Sequence, residues 1–452
     1  MSDERKVSRR RYLKYAGAAA VAVAVAAGGY GVFEETRPPP PPAEKQKLTI
    51  WNTCTAAELS LLQEQIADYE KNRPNVEFEL KQHSYDDRDH DIVATEMHLY
   101  HATPPDLYLT DQPVQFEVGK LGDALELDSY LEGWDGLTDI PKSMWNECSY
   151  NGKIIAIPQD FFVPVIFYNK DLLSQAGVEK FPDTWDGLLD TCKTLNNPDK
   201  GEYAVGWAWS DDAAYWSTEA FLLSNGGGVY KDGKVILNSA ESVEAAEFVA
   251  ELAKYSAPNM PSWTYEDYDG AFTSGKLAIQ LGNGSWNIGN YANTAPNLNY
   301  GIAPYPKATG TGEMIVPGHR VRFLMPLQRF LLIGEKFPLQ TYINEAIEFA
   351  KYVLSKEQQL RWCKGLDYMP VRSSVLDDPF FNQPLYDAFK YEYENALAEF
   401  PSGILAGAWP ANAYDSIVQS YAKAYQAIIV SKLDVKQALD EATAEIEQAI
   451  KS

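Results

Sequence analysis

The sequence predicts an α/β protein of about two domains. Strand-like segments alternate with amphipathic helical segments along the chain, the pattern typical of an α/β sheet. The length of 452 residues suits about two domains at roughly 150 residues per domain. Apolar residues make up 45% of the chain, enough for a sizeable packed core, and this share excludes a wholly disordered protein.

The globular part begins with alternating strands and helices. Thr55 and Glu58 have the spacing of a capping box, and Leu59, Leu62 and Ile66 follow at helical spacing. The segments predicted in this part are strands at 48–51, 76–80 and 105–109 and helices from residue 56 onward and around 92–100. This order predicts one α/β sheet, in which the three strands pair and the two helices pack against them.

Two apolar strand-like runs follow at 154–158 and 163–168, and Pro158 is expected to separate them. Strands joined by so little chain indicate a crossing between lobes. Beyond them, helices are predicted at 185–195, 219–224, 239–255, 342–354, 356–364, 414–430 and 434–450, and a strand at 277–281.

Charge divides the chain into two unlike parts. Residues 1–46 hold eight Lys/Arg and five Asp/Glu, a net charge of +3, whereas the whole chain carries −24, which leaves −27 for the rest. An acidic body excludes nucleic-acid binding, because a binder needs basic groups for the phosphates. It also argues against binding at an anionic membrane surface and favours a soluble monomer.

The basic head predicts an export signal or membrane anchor over residues 1–33. Residues 8–14 resemble the twin-arginine export motif, and an uncharged run rich in Ala, Val and Gly follows at 16–33. Residues 34–46 form a Pro-rich linker with five consecutive prolines at 38–42. The protein is therefore expected outside the cytoplasm, at the periplasm or cell surface. Whether the signal is cleaved or kept as a membrane tether stays open.

No cofactor or metal is predicted. The four cysteines, Cys54, Cys148, Cys192 and Cys363, lie far apart without a CxxC spacing, and their pairing stays open. An acidic run at 83–91 contains two histidines, but it lacks the Gly and the distal Glu of a calcium loop. A solvated loop is the better interpretation of that run.

A series of short motifs resembles one family. The sequence is similar to the extracellular solute-binding proteins of ABC importers, in the group that takes up maltose and other oligosaccharides. The similar segments stand in the family's order at 102–107, 150–153, 168–172 (Y-N-K-D-L), 182–186, 224–228, 272–278 and 370–372. Each motif is weak alone, but their order over the body from 47 to 450 makes the resemblance specific.

The resemblance implies a two-lobed fold of the maltose-binding type, with the ligand cleft between the lobes. Lobe 1 would comprise residues 47–158 and 317–398, and lobe 2 residues 162–314 and 402–452. Such a protein captures a sugar or oligosaccharide by hinge closure and delivers it to the membrane permease of the transporter. It carries out no covalent chemistry, so no catalytic residue is predicted.

Aromatic residues are the first candidates for ligand contacts. Flat amphipathic rings can stack on the apolar face of a pyranose. The resemblance suggests Trp286, Trp409, Tyr215 and Trp216 in this role, although the last two could instead belong to a helix core. Trp51 joins them because it ends a predicted strand, and ligands bind at strand carboxyl ends in open α/β sheets.

Charged candidates lie at a strand end and at the crossings. Asp111 follows the predicted strand at 105–109, and Asp160 lies at the first crossing, where its carboxylate could bind sugar hydroxyls. Arg320 and Arg322 lie near the second crossing and could bind a hydroxyl or a carboxylate. Other functions stay open: the same fold could bind glycerol phosphate, a polyol, a ferric ion or an anion, or the protein could be a sensor or a carbohydrate-active enzyme.

Overall fold

The structure is a computed structural model, and it describes residues 45–83, 105–111, 114–122, 124–209, 211–231, 233–308, 320–326, 338–395 and 414–451. The predicted export signal, the Pro-rich linker before residue 45, the helix near 92–100 and Trp409 lie outside these ranges.

The described residues form an α/β architecture, which confirms the predicted fold class. The strands are β1 Gln46–Asn52, β2 Val76–Gln82, β3 Leu107–Asp111, β4 Ser149–Tyr150, β5 Lys153–Ile154, β6 Ile157–Phe162, β7 Val165–Asn169, β8 Tyr203–Gly206, β9 Tyr230–Lys231, β10 Lys234–Val235, β11 Leu277–Asn283, β12 Tyr300–Ala303, β13 Arg320–Pro326 and β14 Met369–Pro370. The α-helices are Ala56–Asn72, Val114–Leu121, Asp128–Leu131, Gly136–Asp139, Lys142–Glu147, Lys170–Gln175, Trp185–Leu195, Asp211–Ser224, Ala240–Leu252, Tyr265–Thr273, Trp286–Thr294, Leu339–Val353, Lys356–Leu366, Ser373–Leu376, Asp387–Asn395, Tyr414–Ile429 and Val435–Lys451.

Helix boundaries follow from capping residues in the sequence. Thr55 and Glu58 form both hydrogen bonds of the predicted capping box before Ala56–Asn72. The side chain of Thr184 caps Trp185–Leu195 by accepting a hydrogen bond from the amide of Gly187, and this helix has the predicted limits. The helix predicted at 219–224 is longer and begins at Asp211.

The larger sheet has six strands in the order β14-β6-β13-β3-β1-β2. β1 is parallel to β2 and β3, whereas β13 is antiparallel to both β3 and β6. The carboxyl ends of β1, β2, β3 and β6 therefore meet at one edge, together with the start of β13. This edge is where an open α/β sheet presents side chains to a ligand.

The smaller sheet has four strands in the order β12-β7-β11-β8. β11 is parallel to β8 and antiparallel to β7, and β7 is antiparallel to β12. The carboxyl ends of β8, β11 and β12 consequently lie at the same edge as the start of β7.

A connection of two residues, Val163 and Pro164, joins the end of β6 in the larger sheet to the start of β7 in the smaller sheet. The prediction that Pro158 separates the two strands is wrong, because Pro158 lies inside β6. It is tolerated there because the pairing with β13 shifts register between Pro158 and Asp160, and proline is accepted in strands at bulges. The two carboxyl-end edges therefore adjoin at this connection; the predicted limits of the lobes stay a prediction.

All four cysteines are buried and free, which settles the question left open by the sequence. Among the helices of the described ranges, none is long and apolar enough to cross a membrane; the apolar run at 16–33 lies outside those ranges.

Candidate functional site at the facing sheet edges

The two adjoining sheet edges meet through aromatic side chains. Phe162 ends β6 of the larger sheet, and Trp286 begins the helix that follows β11 of the smaller sheet. Their ring centroids lie 5.7 Å apart in an edge-on arrangement. Phe162 also contacts Tyr368, which precedes β14, at 5.0 Å. We call this region the facing edges and treat it as the candidate site.

A buried charged group, the Arg322 cluster, lies on the larger-sheet side. It consists of Arg322 on β13, Asp160 on β6, and Glu58, Trp362 and Tyr368. An oxygen of Glu58 lies 2.8 Å from Nη2 of Arg322 and accepts a 2.5 Å hydrogen bond from the Tyr368 hydroxyl. Asp160 lies 3.7 Å from Nε of Arg322 and accepts a 2.7 Å hydrogen bond from the Trp362 indole. Two carboxylates surround one guanidinium, so the cluster carries a net charge of −1.

Electrostatics keep Arg322 charged in this buried position. Burial alone lowers the pKa of its guanidinium, but the carboxylates of Glu58 and Asp160 outweigh that effect and hold the pKa well above its usual value. Burial, followed by the charge of Glu58, raises the pKa of Tyr368, so its phenol remains a hydrogen-bond donor at neutral pH. Burial likewise raises the pKa of the nearby Cys54 thiol to about 12.

Aromatic rings enclose the guanidinium. Its central carbon lies 5.7 Å from the ring centroids of both Phe162 and Tyr368, within the range of a cation–π contact. Arg322 is therefore fixed by charge and by stacking, and it links the buried carboxylates to the aromatic contact with Trp286.

A hydrogen-bonded network supports the turn that carries Trp286 on the smaller-sheet side. We call it the Asp269 network, and its members are Asp269, Gln280, Asn283, Asn287 and Tyr291. Asn283 donates to Gln280 at 2.8 Å, and its side-chain oxygen accepts from the amide of Gly284 and from Asn287, both at 2.8 Å. The Tyr291 hydroxyl donates to Asp269 at 2.5 Å. Such a connected network fixes the turn after β11.

Opposing effects set the ionisation of this network. Burial raises the pKa of Asp269, and hydrogen bonds from Tyr291, Gln280 and Asn287 lower it without cancelling the rise. Burial and the adjacent carboxyl group raise the pKa of Tyr291, so the tyrosine stays protonated and donates.

A close approach of helix and strand shapes the same edge. Gly282 in β11 has a φ of 73°, and a Cβ there would lie 2.2 Å from the Ser217 hydroxyl oxygen and 2.6 Å from its Cα. Glycine is thus required both for the backbone conformation and for the contact. It allows the helix Asp211–Ser224, which carries Tyr215 and Trp216, to pack onto the end of β11.

Sequence reasoning missed Trp207 and Trp209. They follow β8 at its carboxyl end, beside the end of β11, and their rings stack with centroids 5.8 Å apart. The strand-end rule that selected Trp51 would have found them once residues 203–206 were identified as a strand.

Two buried polar groups at this edge have no hydrogen-bond partner among the residues that the structure describes. They are Nε1 of Trp207, after β8, and the hydroxyl of Ser285, after β11. Because native proteins satisfy about 90% or more of such groups, a pair of them at neighbouring strand ends is a feature to be explained.

The structure brings together only some of the predicted site residues. Asp160 and Trp286 lie at the facing edges, joined through Arg322 and Phe162. Asp160 is fully buried and bonded to Trp362, so it is engaged within the protein. The backbones of Asp111 and Arg320 are at the larger-sheet edge, paired with Arg322 and Phe162 respectively.

The other predicted aromatic residues are packed within the protein. Trp51 is buried near the end of β1, beside His83, and Nζ of Lys81 lies 4.2 Å from its ring centroid. Tyr215 and Trp216 are buried in their helix; the Tyr215 hydroxyl bonds to Glu219, and its ring packs against Tyr421 from the C-terminal helices. Their contact with a ligand stays a prediction, and Trp409 lies outside the described residues.

Within the described ranges, no group of three or more His, Cys, Asp or Glu residues could hold a metal ion. Most of the acidic run at 83–91 lies outside those ranges.

The chain matches the model of a known protein family. Residues 64–386, more than half of the chain, match the model described as bacterial extracellular solute-binding protein. Among curated proteins, the chain is 28% identical over 235 residues to the sn-glycerol-3-phosphate-binding periplasmic protein UgpB of Rhizobium meliloti. That match covers 50% of this chain and 52% of the relative, so the chain spans about half the length of this relative. A putative binding protein of Brucella abortus is 24% identical to this chain over 311 residues. That match covers 67% of this chain and 69% of the relative.

Solved structures share the fold at low sequence identity. An ABC transporter solute-binding protein from Thermotoga lettingae, bound with α-D-tagatose, aligns with a TM-score of 0.73 and 20% identity, over 90% of this chain and all of that chain. Maltose-bound MalE3 of T. maritima aligns with a TM-score of 0.71 and 22% identity, over 89% of this chain and 99% of that chain. The sugar-binding protein MalE of Xanthomonas citri aligns with a TM-score of 0.73 and 18% identity, over 90% of this chain and 98% of that chain. The two-lobed fold of these binding proteins is therefore the fold of this chain.

Proposed function

Because this chain belongs to the bacterial extracellular solute-binding protein family, we propose that it captures a sugar or oligosaccharide outside the cytoplasm and delivers it to the permease of an ABC importer. The similar structures bound to tagatose and maltose support this choice of ligand class. Capture proceeds by closure of the two lobes on the ligand, as expected for a protein whose closed state is favoured by ligand contacts. The chain performs no covalent chemistry in this proposal.

The observation that carries the proposal is a pair of buried groups, Trp207 Nε1 and the Ser285 hydroxyl, which follow the neighbouring strands β8 and β11 and have no partner among the described residues. Trp286 directly follows Ser285 in the chain. A sugar offers hydroxyl groups that can accept from an indole and exchange hydrogen bonds with a serine. It also offers an apolar ring face for stacking. Both chemistries are present within one edge of the smaller sheet, and the partly exposed Trp286 lies next to Phe162 across the facing edges.

Charge favours a neutral sugar over glycerol phosphate, although curated relatives bind the latter. Among the side chains that the structure describes at the facing edges, Arg322 is the cationic donor, and it is already paired with Glu58 and Asp160. A phosphate dianion would enter next to a cluster of net charge −1. Desolvated charges of the same sign repel strongly, so the Arg322 cluster selects against an anionic ligand.

The proposed location combines the family with the head of the chain. An extracellular family member needs an export signal, and the basic and apolar segments at 1–33 provide one of the twin-arginine type. The Pro-rich linker at 34–46 would hold the body off the membrane if the signal is retained. The acidic body is proposed to act as a monomer.

Ligand binding can be tested with the full chain by calorimetry and thermal shift. The panel is maltose, maltotriose, other neutral oligosaccharides and sn-glycerol 3-phosphate. We expect a neutral sugar to bind and to raise the unfolding temperature. Trp286→Ala should weaken binding at least about tenfold, and Ser285→Ala about fivefold.

Ser256→Ala is the matched control for Ser285→Ala, because the Ser256 hydroxyl is also buried and has no partner in the described part of the chain but does not follow a strand of either sheet. It should leave the affinity unchanged. Binding of sn-glycerol 3-phosphate alone, with no response to any sugar, would overturn the proposal.

A further inference from the structure

A surface cavity lies beside the C-terminal end of the helix Ala56–Asn72, whose first turn contains Glu58 of the Arg322 cluster. Its volume is about 390 Å³, and it lies between the ends of two helices. Its walls come from the end of Ala56–Asn72, from Leu339–Val353 and from the turn at Trp134. The volume falls in the range of small-molecule sites, about 300–1,000 Å³.

Trp134, which lines this cavity, packs against Arg372 and Trp145. The guanidinium of Arg372 lies 5.2 Å from the Trp134 ring centroid, and Trp145 meets the ring edge-on at 6.3 Å. Arg372 is buried and binds Asp135 through two parallel contacts of 3.0 Å, with a third contact of 3.1 Å to Asp139. Trp134 is thereby fixed in place while it lines the cavity.

A second aromatic wall is built by tyrosines. Tyr352 packs on Tyr69 at 5.0 Å between ring centroids, and the Tyr69 hydroxyl donates to Glu345 at 2.5 Å. Arg73 stacks over Tyr69 at 5.5 Å and pairs with the same Glu345 at 3.2 Å. Tyr69 is buried, so Tyr352, which is partly exposed, is the tyrosine ring available to a ligand.

The charges around the cavity balance. Lys351 pairs with Glu348 at 3.3 Å, and Arg73 pairs with Glu345, so each cation already has a carboxylate partner. The side chains of Glu348 and Arg73 are 50% and 45% exposed, so they can turn toward a ligand at small cost, whereas those of Lys351 and Glu345 are 21% and 12% exposed. Balanced charge favours a neutral ligand rich in hydroxyl groups.

We propose that this cavity is a second binding site, separate from the facing edges, and that it takes a neutral pyranose sugar. The sugar ring stacks between Trp134 and Tyr352, and its hydroxyls bond to Glu348, Lys351 and the side chain of Asn72. Stacking rings with flanking donors and acceptors are the chemistry that recognises a pyranose. This site would hold sugar whether or not the facing edges are occupied.

Fluorine NMR of the full chain labelled with 5-fluorotryptophan separates the two sites. The chain has 11 tryptophans, and the signals of Trp134 and Trp286 are assigned by replacing each with phenylalanine. Maltose, cellobiose and N-acetylglucosamine are then titrated. We expect at least one sugar to shift the Trp134 signal at concentrations on the order of millimolar, with the same affinity in the Trp286→Ala variant.

Variants of the cavity should abolish this response selectively. Tyr352→Ala should weaken it about tenfold, and the double variant Glu348→Ala with Lys351→Ala about fivefold. Tyr265→Ala, which removes a partly exposed tyrosine from another helix, is the matched control and should change nothing. A Trp134 signal that does not move, or that moves only when the Trp286 signal moves and is lost in Trp286→Ala, would overturn the second site. Failure there leaves the Trp286 response, and hence the proposed function, unaffected.

Discussion

The indole of Trp362 donates a 2.7 Å hydrogen bond to Asp160, although 202 positions separate the two residues in the chain. Trp362 lies on the helix Lys356–Leu366, and Asp160 lies on β6 just before the connection between the two sheets. Both side chains are buried. The bond therefore fixes a carboxylate of the Arg322 cluster from outside its own sheet.

Replacing this donor should destabilise the protein. Trp362→Phe removes the hydrogen bond to a buried carboxylate, and we expect a loss of about 1.5–3 kcal/mol in the free energy of unfolding, measured by chemical denaturation. Trp185→Phe is the matched control, because Trp185 is also buried but its indole nitrogen has no partner among the described residues. Equal losses in the two variants would mean that the bond to Asp160 contributes nothing.

Removing the guanidinium from the Arg322 cluster should cost more. Arg322→Met leaves the buried carboxylates of Glu58 and Asp160 uncompensated, and breaking such a group costs about 3–5 kcal/mol in the free energy of unfolding. Adding Glu58→Gln to that variant should recover part of the loss, because one buried charge is then removed. Additive losses in the double variant, measured by denaturation, would contradict electrostatic coupling.

Gly282→Ala tests the close approach of the helix Asp211–Ser224 to β11. The added methyl would meet Ser217, so we expect a loss well above the roughly 1 kcal/mol that a positive φ alone costs, together with weaker sugar binding. Gly226→Ala is the control: its φ is 83° and no atom lies within 4 Å of the added carbon. Thermal unfolding of both variants makes the comparison, and equal effects would rule out a role for the contact.

The pair Asp135–Arg372 should contribute a pH-dependent stability. Hydrogen bonds from Arg372 lower the pKa of Asp135 below its ordinary value of 3.8. A lowered pKa means that the contribution is complete above about 3.8 and is lost as the pH falls further. Asp135→Asn should thus destabilise at pH 7, and the difference from the natural chain should shrink as the pH falls through the lowered pKa of Asp135. The Asp135 side chain is 68% exposed, so the effect should stay below about 1 kcal/mol. Denaturation curves across this pH range measure it; a difference that grows on acidification would have the wrong sign.

Thiol chemistry should separate the folded from the unfolded chain. Burial raises the pKa values of Cys54, Cys148, Cys192 and Cys363, and the thiolate is the reactive form. Ellman's reagent should find fewer than one reactive thiol in the native protein and four in guanidinium without reductant. Two missing thiols in the denatured sample would indicate a disulfide instead.

Local signals in the sequence predicted much of the fold. The capping box of Thr55 and Glu58 and the limits of Trp185–Leu195 depend on neighbouring residues, and they are confirmed. The helices predicted at 342–354, 356–364, 414–430 and 434–450 are also confirmed, whereas Ser373–Leu376 and Asp387–Asn395 were not predicted. Pro158 was placed wrongly because its acceptance inside β6 depends on a register shift against β13, a contact made across the sheet.

The candidate site was less accessible from the sequence for the same reason. Asp160 was selected as a residue that could bind hydroxyls, but its bonds depend on Trp362 and Arg322, which are distant in the chain. Trp207 and Trp209 were missed because the four-residue strand before them is too short to be recognised by alternation alone. Their position at a strand end becomes visible only once the sheet order is known.

The Asp269 network has a consequence for anyone who wishes to alter what the protein binds. Its five members hold one another, so a substitution in any of them is expected to loosen the turn rather than to reshape it selectively. A library for new ligand preference should therefore keep those five positions constant. It should vary Trp207, Trp209 and Trp286, which this rigid turn and its neighbouring strand present at the edge of the sheet.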